Sequence, residues 1–86
     1  MASPYRLIIR PTAEREIRAL PKAEVERIIR RIYSLPENPR PAGCKKLIGQ
    51  EGYRVRQGDC RIVYEVDDTQ RTVTVVKVRH RREVYR

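Results

Sequence analysis

The sequence predicts an α+β domain in which a small antiparallel sheet carries an N-terminal helical hairpin on one face, in the order β-α-α-β-β-β. Three observations lead to this prediction. A short apolar segment opens the chain, two amphipathic segments separated by a proline follow it, and alternating apolar residues fill most of the second half. Because the chain has 86 residues, we expect a single domain, 1–86, with one sheet and one covering layer of helices.

The first half of the chain contains the predicted first strand and both helices. Residues 5–10 (YRLIIR) form the strand, which Pro11 closes because proline cannot donate to a sheet ladder. Thr12 is the predicted N-cap of a short first helix that ends at Pro21. A second helix covers roughly residues 22–35, and its apolar face has the sheet as its partner. That face consists of Val25, Ile28, Ile29, Ile32 and Leu35.

The second half is predicted to form two consecutive β-hairpins that begin at Glu51. Gly58-Asp59 supplies a two-residue loop, which is typical of a tight hairpin. Residues 60–67 form the next strand, a turn follows, and residues 72–79 (TVTVVKVR) form the last long strand. Between the helices and these hairpins, the segment PENPRPAG is a rigid connection punctuated by prolines.

The first hairpin is predicted to place three arginines on one face of the sheet. With Gly58-Asp59 as the loop, Arg56 lies opposite Arg61 and Arg54 lies opposite Val63. Because side chains alternate between the two faces, the three arginines share a face. The other face carries Tyr53, Val55, Ile62 and Tyr64. We expect the helices to cover that second face, with a core formed by Ile28, Ile29, Ile32, Ile62 and Tyr64.

Charge is the second prominent feature of the sequence. The formal net charge is +9, from 20 Lys and Arg against 11 Asp and Glu. Residues 1–43 hold nine basic and five acidic groups (+4), and residues 44–86 hold eleven and six (+5), so the excess is not confined to a tail. A basic folded domain attracts polyanions, of which nucleic acid is the commonest. The competing interpretation is a highly charged surface without a polyanionic partner.

The segment KVRHRREVYR at the end of the chain adds five cations, the single histidine His80 and the near-terminal Tyr85. The face on which His80 lies depends on the second turn. An even-length loop pairs Val63 with Thr74 and puts His80 on the arginine face, together with the other even-numbered residues of the last strand; an odd-length loop reverses this. Cations, an imidazole and a phenol on one face can bind a phosphodiester and stack against a base.

Signals for metals, disulfides, membranes and secretion are weak. Cys44 and Cys60 form neither a disulfide framework nor a metal-ligand spacing, and a single histidine leaves too few ligands for structural zinc. We therefore expect no metal and no cofactor. The N-terminus lacks the apolar run of a signal peptide, and no segment approaches membrane-spanning length. These features predict a cytoplasmic protein with no membrane partner.

Two segments carry a specific resemblance to a known family: YRVRQGDCRIVYEVDD (residues 53–68) and VKVRHRREVYR (residues 76–86). With the strand and helical hairpin before them, nearly the whole chain resembles the small RelE/ParE superfamily toxins of type II toxin–antitoxin systems, in particular the RelE-like branch. The resemblance implies a ribosome-dependent endoribonuclease, an mRNA interferase that cuts mRNA in the A site and inhibits translation. It also implies inactivation by a tightly bound cognate antitoxin, whose binding segment we expect to be acidic and amphipathic.

The family's functional residues carry over onto this sequence position by position. The implied catalytic residues are Arg61, His80, Arg81 and Tyr85. The predicted RNA- and phosphate-binding residues are Arg54, Arg56, Lys45, Lys46, Arg79 and Arg82. Arg54 and Arg56 stand where the best-known member has lysines, and Arg79 stands where relatives often have glycine.

Arginine in place of lysine has a mechanistic consequence. Because a guanidinium stays protonated at any useful pH, neither Arg54 nor Arg56 can take the proton of an attacking 2′-hydroxyl. His80 and Tyr85 are the candidates for that step, and histidine is the better matched to neutral pH. Two other functions stay open, because fold alone does not determine function. One is a ParE-like toxin that inhibits DNA gyrase, and the other is a basic nucleic-acid-binding module without chemistry.

Overall fold

The computed structural model describes residues 4–49 and 51–80, which form two helices packed on one face of a five-stranded sheet. The elements are β1 (Arg6–Ile9), α1 (Pro11–Arg18), α2 (Lys22–Ser34), β2 (Lys45–Lys46), β3 (Tyr53–Gln57), β4 (Cys60–Asp67) and β5 (Thr72–His80). The strands lie side by side in the order β1-β5-β4-β3-β2. This architecture confirms the predicted α+β class, in which one face of a small sheet is covered by a helical hairpin.

The sheet is mixed, whereas the sequence predicted a wholly antiparallel one. Hairpins join β3, β4 and β5, which run antiparallel, but β1 pairs with β5 in parallel. Because β1 and β5 are far apart in the sequence, no hairpin loop fixes their relative direction, and the intervening elements supply the long connection that a parallel pair needs. The two-residue strand β2 was also not predicted, since two lysines carry no apolar alternation.

Prolines define where both helices begin. α1 starts at Pro11 with Arg10 as its N-cap, so the predicted cap at Thr12 is wrong. Proline suits the first helical position because its fixed φ is helical and its missing N–H has no partner there in any case. Pro21 is the N-cap of α2, which ends at Ser34. Within the described residues, neither helix combines the length and apolar character needed to cross a membrane.

The core lies between the helices and the sheet face that they cover. Ile28 and Ile32 of α2 and Ile62 and Tyr64 of β4 are all 0% exposed, which confirms four of the five predicted core residues. The fifth, Ile29, is half-buried and packs against the margin of this cluster. Full burial of an aliphatic side chain of this size contributes about 1.5–3 kcal/mol to stability. The core therefore holds β4 firmly in the middle of the sheet.

The β3–β4 hairpin has the register that the sequence predicted. Gly58 occupies the loop with a positive φ of 59°, Arg56 pairs with Arg61, and Arg54 pairs with Val63. Ile62 points into the core, so the three arginines lie on the opposite side of the sheet. We refer to this side, which carries no helix formed by residues 4–49 and 51–80, as the open face.

A β-bulge in β5 changes the register halfway along the β4–β5 hairpin. Tyr64 pairs with Val75, whereas the preceding residue Val63 pairs with Lys77. Val76 is thus the additional residue on β5, without a direct partner in this register. An additional residue reverses the alternation of side chains beyond it, because each face receives every second residue.

The bulge overturns the expected placement of the end of β5. The loop between β4 and β5 has an even number of residues, 68–71, but it is four residues long, so Glu65 rather than Val63 pairs with Thr74 and the predicted pairing is wrong. Beyond the bulge, Lys77 and Arg79 lie on the open face, and His80 lies on the covered face. Loop parity alone could not reveal this, because the sequence carries no clear signal of the inserted residue.

Gly52, just before β3, should be intolerant of any side chain. Its φ is +118°, and an added Cβ would lie 2.9 Å from the backbone oxygen of Tyr64. We expect Gly52→Ala to lower the free energy of unfolding by about 1–3 kcal/mol in chemical denaturation, because it combines backbone strain with a clash. Gly43→Ala is the matched control, since Gly43 has φ +89° but no atom within 4 Å of the added Cβ. Equal losses in the two variants would contradict the clash.

Candidate nucleic-acid interface

Two rows of mainly cationic side chains cross the open face of the sheet. The first cation row consists of Arg56, Arg61 and Arg79, directly opposite one another on β3, β4 and β5. The second cation row consists of Lys45, Arg54, Val63 and Lys77 on β2, β3, β4 and β5. The bulge is what brings β5 into both rows, since without it Lys77 and Arg79 would point toward the helices.

A cleft of about 290 Å³ opens over the β2–β3–β4 side of these rows. Its lining residues are Gly43, Lys45, Arg54, Val55, Arg56 and Arg61, and none of the six is acidic. We call it the basic cleft. Guanidiniums offer paired N–H donors that match phosphate oxygens, and their charge does not depend on pH in the physiological range. The cleft can therefore hold a phosphodiester in a fixed orientation.

The proline-rich connection ahead of β2 is anchored to the sheet by Arg40. Its guanidinium donates hydrogen bonds to both carboxylate oxygens of Asp68, at 3.2 and 2.9 Å. Its Nε donates to the hydroxyl of Tyr53 at 2.9 Å, and its Cζ lies 5.1 Å from the centre of that ring. Tyr5 also donates to Asp68, at 2.6 Å. These contacts tie the connection to three strand ends and so fix the entry of Lys45 into the sheet.

The ionisation states of this anchor favour its persistence at neutral pH. The hydrogen bonds that Asp68 accepts from Arg40 and Tyr5 hold the pKa of its carboxyl below the usual range, so it stays charged. Tyr64 contributes a second attachment by donating its hydroxyl hydrogen to the backbone oxygen of Pro39 at 2.7 Å. Burial raises the pKa of the Tyr64 phenol, so it stays a neutral donor.

Glu16 of α1 holds the end of β5, where β1 no longer covers the sheet edge. One of its carboxylate oxygens accepts the backbone N–H of Val78 at 2.9 Å. The other lies 3.5 Å from Nη1 of Arg79. The carboxylate thus replaces the missing strand partner of Val78. It also partly neutralises Arg79, which makes Arg79 a weaker phosphate ligand than the other members of the first cation row.

The structure brings together Arg54, Arg56, Arg61 and Lys45 of the residues singled out in the sequence, and places Arg79 at the end of their row. Two others, Lys46 and His80, lie on the covered face. Lys46 pairs with Tyr53, and His80 pairs with the buried Cys60. The remaining predicted site residues, Arg81, Arg82 and Tyr85, lie outside the described residues. Within residues 4–49 and 51–80, no three His, Cys, Asp or Glu side chains come together as a metal-binding group.

Three residues that matter to this surface were not singled out in the sequence. Lys77 stands in the apolar segment TVTVVKVR, and the sequence left its face open because that depended on the second turn. Arg40 and Glu16 act through partners at least 13 positions away, which sequence spacing does not predict. The proline-rich context of Arg40 was the available signal, since a rigid connection needs an attachment.

Comparison with known proteins identifies relatives over nearly the whole chain. A family model described as ParE toxin of type II toxin–antitoxin system matches residues 7–85. The chain is 31% identical to toxin RelE of Mycobacterium tuberculosis over 96% of its own length and 88% of that protein. It is 29% identical to toxin RelG of the same organism, covering 96% and 98% of the two chains. The crystal structure of the M. tuberculosis toxin–antitoxin complex RelBE2 superposes with a TM-score of 0.81, at 27% identity, covering 91% of this chain and 99% of that one.

Loss of cations from the basic cleft should change the salt dependence of RNA binding. In Arg54→Gln/Arg56→Gln, we expect the slope of log affinity against log salt to shrink by about 1.4, because each lost phosphate contact on single-stranded nucleic acid accounts for roughly 0.7. The measurement is fluorescence anisotropy of a labelled single-stranded RNA over a range of salt concentrations. Arg27→Gln/Arg30→Gln on the exposed side of α2 removes the same charge and is the control. Equal changes in slope for both doubles would show that net charge alone binds RNA.

Proposed function

The chain belongs to the ParE toxins of type II toxin–antitoxin systems, within the RelE/ParE superfamily, and we propose that it is a ribosome-dependent endoribonuclease that cleaves mRNA in the A site. The observation that carries this proposal is the first cation row with the adjoining basic cleft. Fixed guanidiniums in a cleft whose lining residues include no acid suit a phosphodiester whose negative charge increases in the transition state. A toxin with this target acts in the cytoplasm, where the ribosomes are.

The proposed chemistry is attack of a ribose 2′-oxygen on the adjacent 3′-phosphorus. The bond from phosphorus to the 5′-oxygen breaks, the 2′-hydroxyl gives up its proton, and the departing 5′-oxygen takes one up. The products are a 2′,3′-cyclic phosphate and a 5′-hydroxyl. Arg61 and Arg81 stabilise the charge on the phosphorane-like transition state, while Arg54 and Arg56 orient the RNA backbone. The guanidiniums supply this stabilisation without a metal ion.

The proton of the 2′-hydroxyl needs an acceptor other than the arginines. His80 and Tyr85 were the two candidates. His80 lies on the covered face, whereas Arg61 lies on the open face on the other side of the sheet. This position supports Tyr85 as the residue that handles the proton. Tyr85 lies outside the described residues, and the proposal requires it to reach the guanidiniums of the site, whose positive charges would stabilise a phenolate.

A cognate antitoxin is the proposed partner that keeps the toxin inactive. The solved relative RelBE2 of M. tuberculosis is a toxin–antitoxin complex, and the crystal structure of RelE from Pyrococcus horikoshii, 26% identical with a TM-score of 0.77, is a complex with RelB. We propose that the antitoxin of this chain presents an acidic amphipathic segment, because the net charge of +9 favours association with an anionic partner.

Primer extension on mRNA in a cell-free translation reaction tests the proposal. We expect the wild-type protein to produce breaks within A-site codons, and end-group analysis to find a 2′,3′-cyclic phosphate. Arg61→Ala should slow single-turnover cleavage on programmed ribosomes by roughly 10²–10³, by analogy with the loss of one oxyanion-hole donor. Arg27→Ala, on the exposed side of α2, is the matched control and should cleave at the wild-type rate.

Three outcomes would contradict the mechanism, the function and the site, respectively. A 3′-hydroxyl product would mean hydrolysis by water and would falsify the 2′-hydroxyl mechanism. Supercoiling inhibition of DNA gyrase without any mRNA cleavage would assign the chain to the other activity considered for this fold. Full cleavage activity in Arg61→Ala/Arg81→Ala would remove the proposed site altogether.

A further inference from the structure

A second cleft of about 230 Å³ lies on the open face beside the basic cleft. Its lining residues are Leu47, Glu51, Val63, Glu65, Val76 and Lys77. Val63 and Lys77 belong to the second cation row, so the cleft directly continues the surface on which Arg54 stands. Unlike the basic cleft, it combines an apolar floor with two carboxylates. We call it the mixed cleft.

The apolar floor of the mixed cleft is a product of the bulge. Val76 is the additional residue of β5 and lines the cleft together with its neighbour Lys77, although consecutive residues of a regular strand point to opposite faces. Val63 is half-exposed beside them. Two adjoining β-branched side chains thus form a patch on the open face against which a planar ring can pack.

The two carboxylates stand out because they lie beside so many cations. Glu65 projects from β4 and pairs with Thr74 of β5, which holds its Cα in the sheet. Its Cγ lies 3.6 Å from the position that a Cβ on Gly52 would take, and its Oε1 is 3.9 Å from Nη2 of Arg10, a long and half-exposed ion pair. Glu51 forms the opposite wall of the cleft. It lies between Leu47 and Gly52, where the N–H of Leu47 donates to the backbone oxygen of Gly52 at 3.1 Å.

We propose that the mixed cleft is a nucleobase subsite that selects guanine, with Glu65 reading its Watson–Crick edge. The inference rests on the proposed function in taking single-stranded RNA as the ligand. With the phosphodiester in the basic cleft, the adjacent base reaches Val63 and Val76, and the ring packs on this floor. Sequence-specific proteins read the Watson–Crick edges of unpaired RNA bases in this way.

Hydrogen-bond matching determines the choice of base. A carboxylate offers two acceptors and no donor. Guanine presents two neighbouring donors, N1–H and the N2 amine, which fit both oxygens. Adenine and cytosine each present one amine next to an acceptor nitrogen, and uracil presents one N–H between two carbonyls. In these three bases, an acceptor faces a carboxylate oxygen and repels it, so guanine is preferred.

The test is the affinity of the full chain for four labelled heptaribonucleotides that differ only in a central base within a uridine context. We expect guanine to be bound about tenfold more tightly than the other bases, a discrimination within the range of one bidentate contact. Inosine, which lacks the N2 amine, should lose most of this advantage. Glu65→Gln presents one donor and one acceptor, which fit the adjoining donor and acceptor of adenine, cytosine and uracil, so the preference for guanine should be lost.

Glu26→Gln on the exposed side of α2 is the matched control, since it removes the same charge at a distance and should raise the affinity for all four RNAs equally. Equal binding of the four bases by the wild type, or an unchanged ranking in Glu65→Gln, would overturn the subsite. Failure of the proposed function is distinguishable: guanine-selective binding without cleavage on programmed ribosomes rejects the nuclease and keeps the subsite. Cleavage without any guanine preference rejects the subsite alone.

Discussion

Three guanidiniums held directly opposite one another on neighbouring strands impose the main physical constraint on this domain. Arg61 of β4 has Arg56 on one side and Arg79 on the other. Like charges in directly opposed positions destabilise a sheet, and Arg61 takes part in two such contacts. The repulsion is offset by the core beneath the sheet, where Ile62 and Tyr64, the neighbours of the open-face residues on β4, are completely buried. Burial of apolar side chains on the covered face thus compensates for the charge repulsion on the open face.

The remaining features of the fold set the position of these charges. The bulge at Val76 places Arg79 on the open face. Glu16 forms an ion pair with Arg79 at 3.5 Å, which reduces the repulsion between Arg79 and Arg61. At the other edge, the attachment of Arg40 to Asp68 fixes the connection that delivers Lys45 to the basic cleft. The buried core beneath the sheet and the anchoring by Arg40 together hold this cationic surface in place, which favours a phosphodiester over a less charged ligand.

Sequence periodicity predicted the elements whose neighbours are close in the chain. The helical period of α2 predicted which face of the sheet is covered, and the two-residue loop at Gly58 predicted that Arg56 pairs with Arg61. Both features depend on local geometry. The parallel pairing of β1 and the bulge could not be predicted. A parallel partner is selected by tertiary packing, and a single additional residue leaves no distinct pattern. Because the bulge reverses the alternation of side chains, the length of the loop could not predict the face on which His80 lies.

We propose that the sheet holds Arg61 in place against electrostatic repulsion because this cation stabilises the phosphodiester. The most direct test is the free energy of unfolding of Arg61→Gln at low ionic strength, measured beside its cleavage rate. Relief of two opposed contacts should make the variant more stable by a few tenths to about 1 kcal/mol, and added salt should reduce the difference. Cleavage should be lost at the same time. A variant that is less stable than the wild type, or equally stable and fully active, would contradict the claim.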